Sequence, residues 1–286
     1  MKFKHNIIAI VYDFDGTLSP ESMQDYTVLP ALGIRPKDFW KKVGKESVKT
    51  KGESTLTYLR LLLEACKEKD YKFTAAELKK LAGKVAFYPG VPTYFDRINS
   101  FIKKEFKNEI MIRHYIISGG LKEIIEATPI AKKIHRVFAC EYYFDGSKRA
   151  VFPKVIVNDT LKTQCLFRIS KGIEDLNKNI NELMPRKDMA VPFHNILYLG
   201  DGMTDVPCMA LTKKMGGHCL AVYKPRAADS IKTCKKLLAE GRVDFIAAAD
   251  FRTGSRLEKL IRLILTNIAD GISYRREAFV QRRTIG

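Results

Sequence analysis

Residues 7–17 read IIAIVYDFDGT: six consecutive apolar residues, Ile7 to Tyr12, that stop abruptly at Asp13-Phe14-Asp15-Gly16-Thr17. A short, continuous, β-rich run with no polar alternation is the pattern of a strand buried on both faces of a parallel sheet. Comparable runs recur at residues 111–117, 135–139, 196–199 and 220–223, with a further candidate at 243–247. Segments with helical spacing lie between them, at residues 92–106, 121–127, 161–169, 227–238 and 256–268. The helix over 161–169 follows Asp159 and Thr160, either of which suits an N-cap. Strand–helix alternation of this kind predicts a doubly wound, mostly parallel, Rossmann-like α/β sheet.

Two stretches break the alternation. Residues 19–87 contain no convincing strand; 56–66 and 75–81 read as helices, the second opened by Thr74 with Glu77 three residues on, a capping box. Phe39, Trp40 and the leucines of 59–63 suit the core of such a helical insertion. The expected organisation is therefore an α/β core of residues 1–18 and 88–286, with a small α-helical cap over 19–87. Residues 141–152 read as a β-hairpin, because Asp145-Gly146 separates a Tyr-rich run from a Val/Phe run.

Ligands in open α/β sheets bind beyond the carboxyl ends of the strands, so the polar residues that follow each apolar run matter most. The first run delivers Asp13, Asp15 and Thr17, the second Ser118, Gly119 and Gly120, and the fourth Gly200, Asp201, Gly202 and Asp205. Each tail alone reads equally as a turn or a solvated strand end. Together they bring carboxylates, a hydroxyl and glycine backbone to one sheet edge. Four carboxylates gathered there need a cation, and Mg2+ suits an all-oxygen ligand set. Two nearby carboxylates resist simultaneous ionisation, so one of them should hold a proton near neutral pH.

In this order, Asp13-Phe14-Asp15-Gly16-Thr17, the strand into Ser118-Gly119-Gly120, a later lysine, and Gly200-Asp201-Gly202-Met203-Thr204-Asp205 resemble the haloacid-dehalogenase superfamily of aspartate-nucleophile phosphatases. The helical insertion after the first motif and the Ser-Gly-Gly resemble its phosphoserine-phosphatase-like subgroup. The resemblance spans residues 13–205. It implies a magnesium-dependent phosphomonoester hydrolase acting through an aspartyl-phosphate on a small phosphorylated metabolite, with a phosphoserine-like compound among the candidates. Asp13 would be the nucleophile and Asp15 the acid and base. Mg2+ would be held by Asp13, Asp201 and the backbone carbonyl of Asp15, with Asp205 supporting the lysine or the metal shell. Ser118 and the Gly119 amide would take phosphate oxygens, aided by the N-terminus of the following helix. Thr17 is grouped with them as the residue that ties the first loop. Lys162 is preferred to Lys171 for the lysine, because it starts its helix after residues 155–157 and Asn158-Asp159. Glu21 stands near where the subgroup carries a glutamate facing the substrate amine, one residue short of the usual offset. Arg60 is a candidate for a substrate carboxylate or, as an alternative, part of a solvated helix face. Dehalogenation is disfavoured, since it has no use for the acid Asp15.

Charge is the unusual part of the composition: 50 basic against 32 acidic residues, a net +18, in a chain of 286 residues that is 46% hydrophobic. The hydrophobic fraction excludes a disordered chain. The basic residues run through the whole sequence, and their densest groups are Arg275-Arg276 and Arg282-Arg283. Dispersed charge suits a solvated surface, while a polynucleotide phosphatase or basic nucleic-acid module is the alternative. A catalytically silent phosphate-binding protein is a further alternative, against which the complete motif set counts. The six cysteines have no metal-type spacing, and the five histidines share none that suggests a joint role. Residues 7–12 are too short for a signal or membrane segment, so a soluble protein of the reducing cytoplasm is expected.

Overall fold

The computed structural model describes residues 3–284. β1 (Ile7–Tyr12) is followed by a helical insertion: α1 (Met23–Tyr26), α2 (Val28–Ala31), α3 (Pro36–Thr50), α4 (Ser54–Glu68) and α5 (Ala75–Leu81). The chain returns through α6 (Val91–Glu105) to β2 (Met111–Leu121), α7 (Lys122–Ile125), β3 (Arg136–Phe144), β4 (Ala150–Val155) and α8 (Leu161–Lys171). It closes with β5 (Ile196–Gly200), α9 (Val206–Lys214), β6 (His218–Tyr223), α10 (Ala228–Ala239), β7 (Phe245–Ala248) and α11 (Arg256–Thr284). The strands lie in the order β4-β3-β2-β1-β5-β6-β7, and all neighbours are parallel except β3–β4. α6 and α11 cover one face, and α8, α9 and α10 the other. β1 is central and has Ile8 to Tyr12 wholly buried, as its unbroken apolar run requires.

The topology places the site. β1 sits between β2 and β5, with Tyr12 level with Ile116 on one side and Leu199 on the other. The residues that follow these three strands therefore meet at one edge, where the strand order switches direction. The backbone N–H of Asp13 extends this ladder by donating to the carbonyl of Leu199 at 2.9 Å.

Several elements depart from the sequence reading. β2 runs on through Gly119, Gly120 and Leu121, and the helix expected over 121–127 is the four-residue α7. A helix that short lends little dipole to an anion at Ser118. The N-terminal turn of α8 is capped by neither Asp159 nor Thr160: Asn158 Oδ1 accepts from the Leu161 N–H at 2.9 Å. Thr74 does cap α5, accepting from the Glu77 N–H at 3.2 Å, but the Glu77 carboxylate pairs with Lys80 at 3.3 Å in place of closing a capping box. α3 lies in a stretch that had no helical assignment, and only Phe39 and Val43 in it are buried. α11 continues sixteen residues past Ile268, held by Ile272 in the core, Arg275 on Asn195 at 2.9 Å and Arg276 on Glu109 at 2.6 Å. The predicted hairpin forms β3–β4 and leans on the insertion, where Tyr142 donates its hydroxyl to the carbonyl of Leu59 at 2.9 Å. The six cysteines are buried thiols. Among the described residues, no helix is long and apolar enough to cross a membrane.

One buried histidine gives the core a pH dependence. His114, on β2, takes the Tyr12 hydroxyl at Nδ1 and Asn99 Oδ1 at Nε2, both at 3.0 Å. Burial, partly opposed by Asp96, lowers its pKa to about 3. The unfolded chain takes up this proton below about pH 6.5, the usual histidine value, and the folded chain does not. Stability should therefore be complete above pH 6.5 and fall as pH drops toward 3. Urea unfolding between pH 7 and pH 4.5 should show His114→Gln, although less stable at neutral pH, losing less stability over this interval than the parent chain; equal losses would refute the assignment.

Candidate active site

The first loop is built by one glycine and one hydrogen-bonded bend. Gly16 has φ +83°, a conformation that favours glycine, and a Cβ there would overlap the Asp201 carboxylate. Its N–H donates to Ser19 O at 2.7 Å, which folds the chain back so that Asp13 and Asp15 both stay at the strand edge. The Thr17 side chain is buried, and its hydroxyl donates to Asp201 Oδ1 at 3.5 Å, linking the β1 loop to the β5 loop.

Lys162, from the first turn of α8, is the cation of the cluster. Its Nζ lies 2.8 Å from Asp205 Oδ1 and 3.1 Å from Asp13 Oδ1, and all three residues are buried. Lys171, the other candidate, turns away and donates to the carbonyls of Ile180 and Glu182. Asp205 is fully committed: Oδ1 also accepts from the Tyr198 hydroxyl at 2.7 Å, and Oδ2 from the N–H groups of Asp201 and Gly202 at 3.1 and 3.4 Å. Tyr198 was not visible as a site residue because it sits inside an apolar strand run, where nothing in the sequence separates it from a core aromatic.

Oxygen atoms of Asp13, Asp201 and Asp205 lie within 4.8 Å of one another. With Asp205 saturated by four donors, Asp13 and Asp201 are the carboxylates placed to hold a cation. Burial, with the Asp205 charge and against Lys162, pushes Asp13 up to about 7, and burial with Asp205 and Asp13 raises Asp201. A hard divalent ion fits this all-oxygen donor set better than a thiophilic metal.

Asp15 has a different environment. Its Oδ1 accepts from the Met23 N–H at 2.8 Å, at the start of α1. Its pKa is raised well above the carboxylate range, by burial first and by the charge of Asp13 second. Like-charge repulsion thus contributes, as expected from the sequence, but desolvation leads.

Ser118 is buried at the end of the β2 apolar run, and its Oγ accepts from the Gly120 N–H at 3.0 Å, leaving its O–H to donate. The Gly119 carbonyl is occupied by the Tyr58 hydroxyl at 2.6 Å, a contact from α4 that no motif announces. A Cβ on Gly120 would overlap the Met23 side chain, which explains the second glycine of the pair.

Comparison with known proteins bears on the fold. No family model matches the chain. A protein of Borreliella burgdorferi, described only as uncharacterized, is 31% identical over 281 residues, covering 90% of this chain and 96% of that protein. The two belong to one family. Among solved structures, a HAD family hydrolase from Salmonella enterica serovar Typhi superposes with a TM-score of 0.57 at 18% identity, covering 92% of this chain and 72% of that one. A substrate-bound phosphoserine phosphatase gives 0.55 at 16% identity over 90% and 97% of the two chains. A phospho-aspartyl intermediate analogue of phosphoserine phosphatase gives 0.54 at 17% identity over 90% and 99%. The chain has the haloacid-dehalogenase fold.

Within that fold, two of the residues considered for substrate recognition are engaged elsewhere. Arg60 is half-exposed on α4 and pairs with Glu46 at 2.9 Å and Glu64 at 2.5 Å. It forms the solvated helix face. Glu21 pairs with Lys224 at the rim.

The charge balance of the site predicts its response to losing the lysine. Lys162→Met leaves Asp13, Asp201 and Asp205 without their buried cation. Metal-free protein should lose about 3–5 kcal/mol at neutral pH, the range for removing one partner of a buried ion pair. The folded-state pKa values of Asp13 and Asp201 already stand above the unfolded values, so the deficit should grow as pH rises from 5 to 8. Denaturant titrations at the two pH values measure it, and a pH-independent loss would exclude this account.

Proposed function

We propose that the chain is a phosphomonoester hydrolase with Asp13 as nucleophile, Mg2+ as cofactor and a small phosphorylated metabolite as substrate. The observation that carries this reading is the division of labour among four carboxylates at one strand edge. Asp205 is locked by Lys162, Tyr198 and backbone; Asp13 and Asp201 face one another; Asp15 is bonded to the Met23 N–H, its pKa raised by burial.

Asp13 Oδ attacks phosphorus while the bond to the leaving oxygen breaks, and Asp15 gives that oxygen its proton. The products of this half-reaction are the free alcohol and an aspartyl-phosphate. Asp15, now a carboxylate, takes a proton from water as the water oxygen attacks phosphorus. Asp13 is released as carboxylate with inorganic phosphate. Lys162, 3.1 Å from Asp13, fixes the nucleophile's orientation and offsets its charge. Ser118 O–H and the Gly119 N–H are the donors to phosphate oxygens. Mg2+, held by Asp13, Asp201 and the Asp15 carbonyl, would supply positive charge against the phosphoryl oxygens and keep Asp13 ionised at neutral pH.

Residues 19–87 serve as a helical cap on the core of residues 1–18 and 88–286. Supporting this are two contacts that reach the site itself, Met23 N–H on Asp15 and Tyr58 hydroxyl on Gly119. With Arg60 and Glu21 engaged in ion pairs, the phosphoserine-like variant of the substrate loses its two sequence candidates for reading an amino acid. A phosphate ester recognised mainly through its phosphate and the apolar cap surface fits better.

Hydrolysis of an aryl phosphate should require added Mg2+ and stop with chelator. Asp13→Asn should remove all turnover. Asp15→Asn should lower kcat about 10²–10⁴-fold, the usual contribution of a positioned acid, with less effect on esters whose leaving group needs no proton. Turnover persisting in Asp13→Asn would eliminate the mechanism.

A further inference from the structure

A cavity of about 320 Å³ opens under the opposite edge of the sheet, where β1 and β5 begin. It is separated from Asp13 by the length of β1, about 20 Å for six residues. Its lining includes three cations, Arg186, Lys187 and Lys214, and two histidines, His5 and His194, and contains no carboxylate. In a chain with 32 acidic residues this is a notable segregation. None of the three cations is ion-paired among the described residues, whereas Lys213, the residue before Lys214, is bound to Asp244.

The histidines show the same deficit. Nε2 of His5 and Nε2 of His194 are both buried without a hydrogen-bond partner. A buried ring nitrogen left unpaired is costly, and native structures seldom leave two side by side. The surroundings explain why no internal partner relieves them. Arg275, behind His194, spends Nη2 on Asn195 and leaves a buried Nε equally unpaired. Burial and then the charges of Arg275, His5 and Arg186 lower the His194 pKa to about 4. An anion is the missing complement.

The remaining wall is apolar: Phe193 is buried and Met189 and Met215 flank the opening. A bare inorganic ion would leave this surface unused. The volume falls at the lower end of small-molecule sites, enough for a phosphate with a small organic body such as a nucleoside.

We propose that this cavity is a second binding site, distinct from the catalytic edge, that takes a small organic phosphate: phosphate toward Arg186, Lys187 and Lys214, and apolar or aromatic body against Phe193, Met189 and Met215. The histidine rings contribute hydrogen bonds to the bound anion. The site is independent of the hydrolase reading, because no residue of the Asp13 cluster belongs to it.

The test uses the full chain with 15N-labelled histidine in chelator, where turnover is off. The catalytic cluster contains no histidine, so the ring signals of His5 and His194 report on this cavity and that of buried His114 is an internal control. Adenosine 5′-monophosphate should shift the His5 and His194 signals saturably, with Kd below about 1 mM, and leave His114 in place. The double variant Arg186→Ala, Lys214→Ala, both at exposed positions, should weaken this at least about tenfold, and Asp13→Asn should not change it. Inorganic phosphate should bind at least about tenfold more weakly than the nucleotide. No shift of either histidine, full retention in the double variant, or equal binding of inorganic phosphate would overturn the proposal. So would tighter, steeply salt-dependent binding of an RNA oligonucleotide at the same histidines, which would reassign the surface to nucleic acid.

Discussion

The Lys162 ammonium, wedged between Asp13 and Asp205, is the contact on which the catalytic edge depends. Four buried or half-buried carboxylates share one edge, and among the described residues this is the one cation bonded to them. Desolvation drives Asp13, Asp15 and Asp201 toward their neutral forms, and the lysine charge opposes that drive at all three. Its position follows from the topology. The hairpin β3–β4 returns the chain across the sheet, Asn158 turns it into α8, and the first helical turn then projects Lys162 beneath β1 and β5. Tyr198 and the backbone of the β5 loop complete the grip on Asp205, so the lysine meets a carboxylate already fixed in place.

Much of this was legible in the sequence, for a definite physical reason. Strands buried on both faces are apolar at nearly every position, so β1, β5 and β6 announce themselves as near-continuous runs, and β2 does so beyond Arg113 and His114; their polar tails mark where chain leaves the core. The carboxylates, Ser118 and Lys162 were found from those tails and from the family resemblance. What escaped lacks such a signature. α3 buries only two side chains of fifteen, leaving a polar surface with little periodic contrast. The second half of α11 is strongly basic and reads as solvent-exposed tail, although Ile272, Arg275 and Arg276 tie it to the sheet. Tyr198 and Tyr58 look like core aromatics, and only the three-dimensional arrangement reveals that each hydroxyl ends on the site. The helix expected after Ser118 shrank to one turn because extended backbone continues through the two glycines, where Met23 packs against it.

The excess of basic residues also gains meaning from the fold. The carboxyl edge of the sheet concentrates buried acids; the amino edge, around residues 186–194 and 214–215, concentrates cations that have no acidic neighbours in their cavity. The count of +18 conceals two local concentrations of opposite sign, one at each end of the central strands.

Met23 joins the insertion to the chemistry. Its N–H is bonded to the carboxyl of Asp15, and its side chain fills the space that Gly120 leaves open, so one residue touches both the loop after β1 and the glycine pair of β2. Burial is the main cause of the high pKa of Asp15, and α1 supplies the residue packed over both loops. Access and acidity are thereby tied to one contact: whatever lets water reach this carboxyl also weakens the burial that raises its pKa.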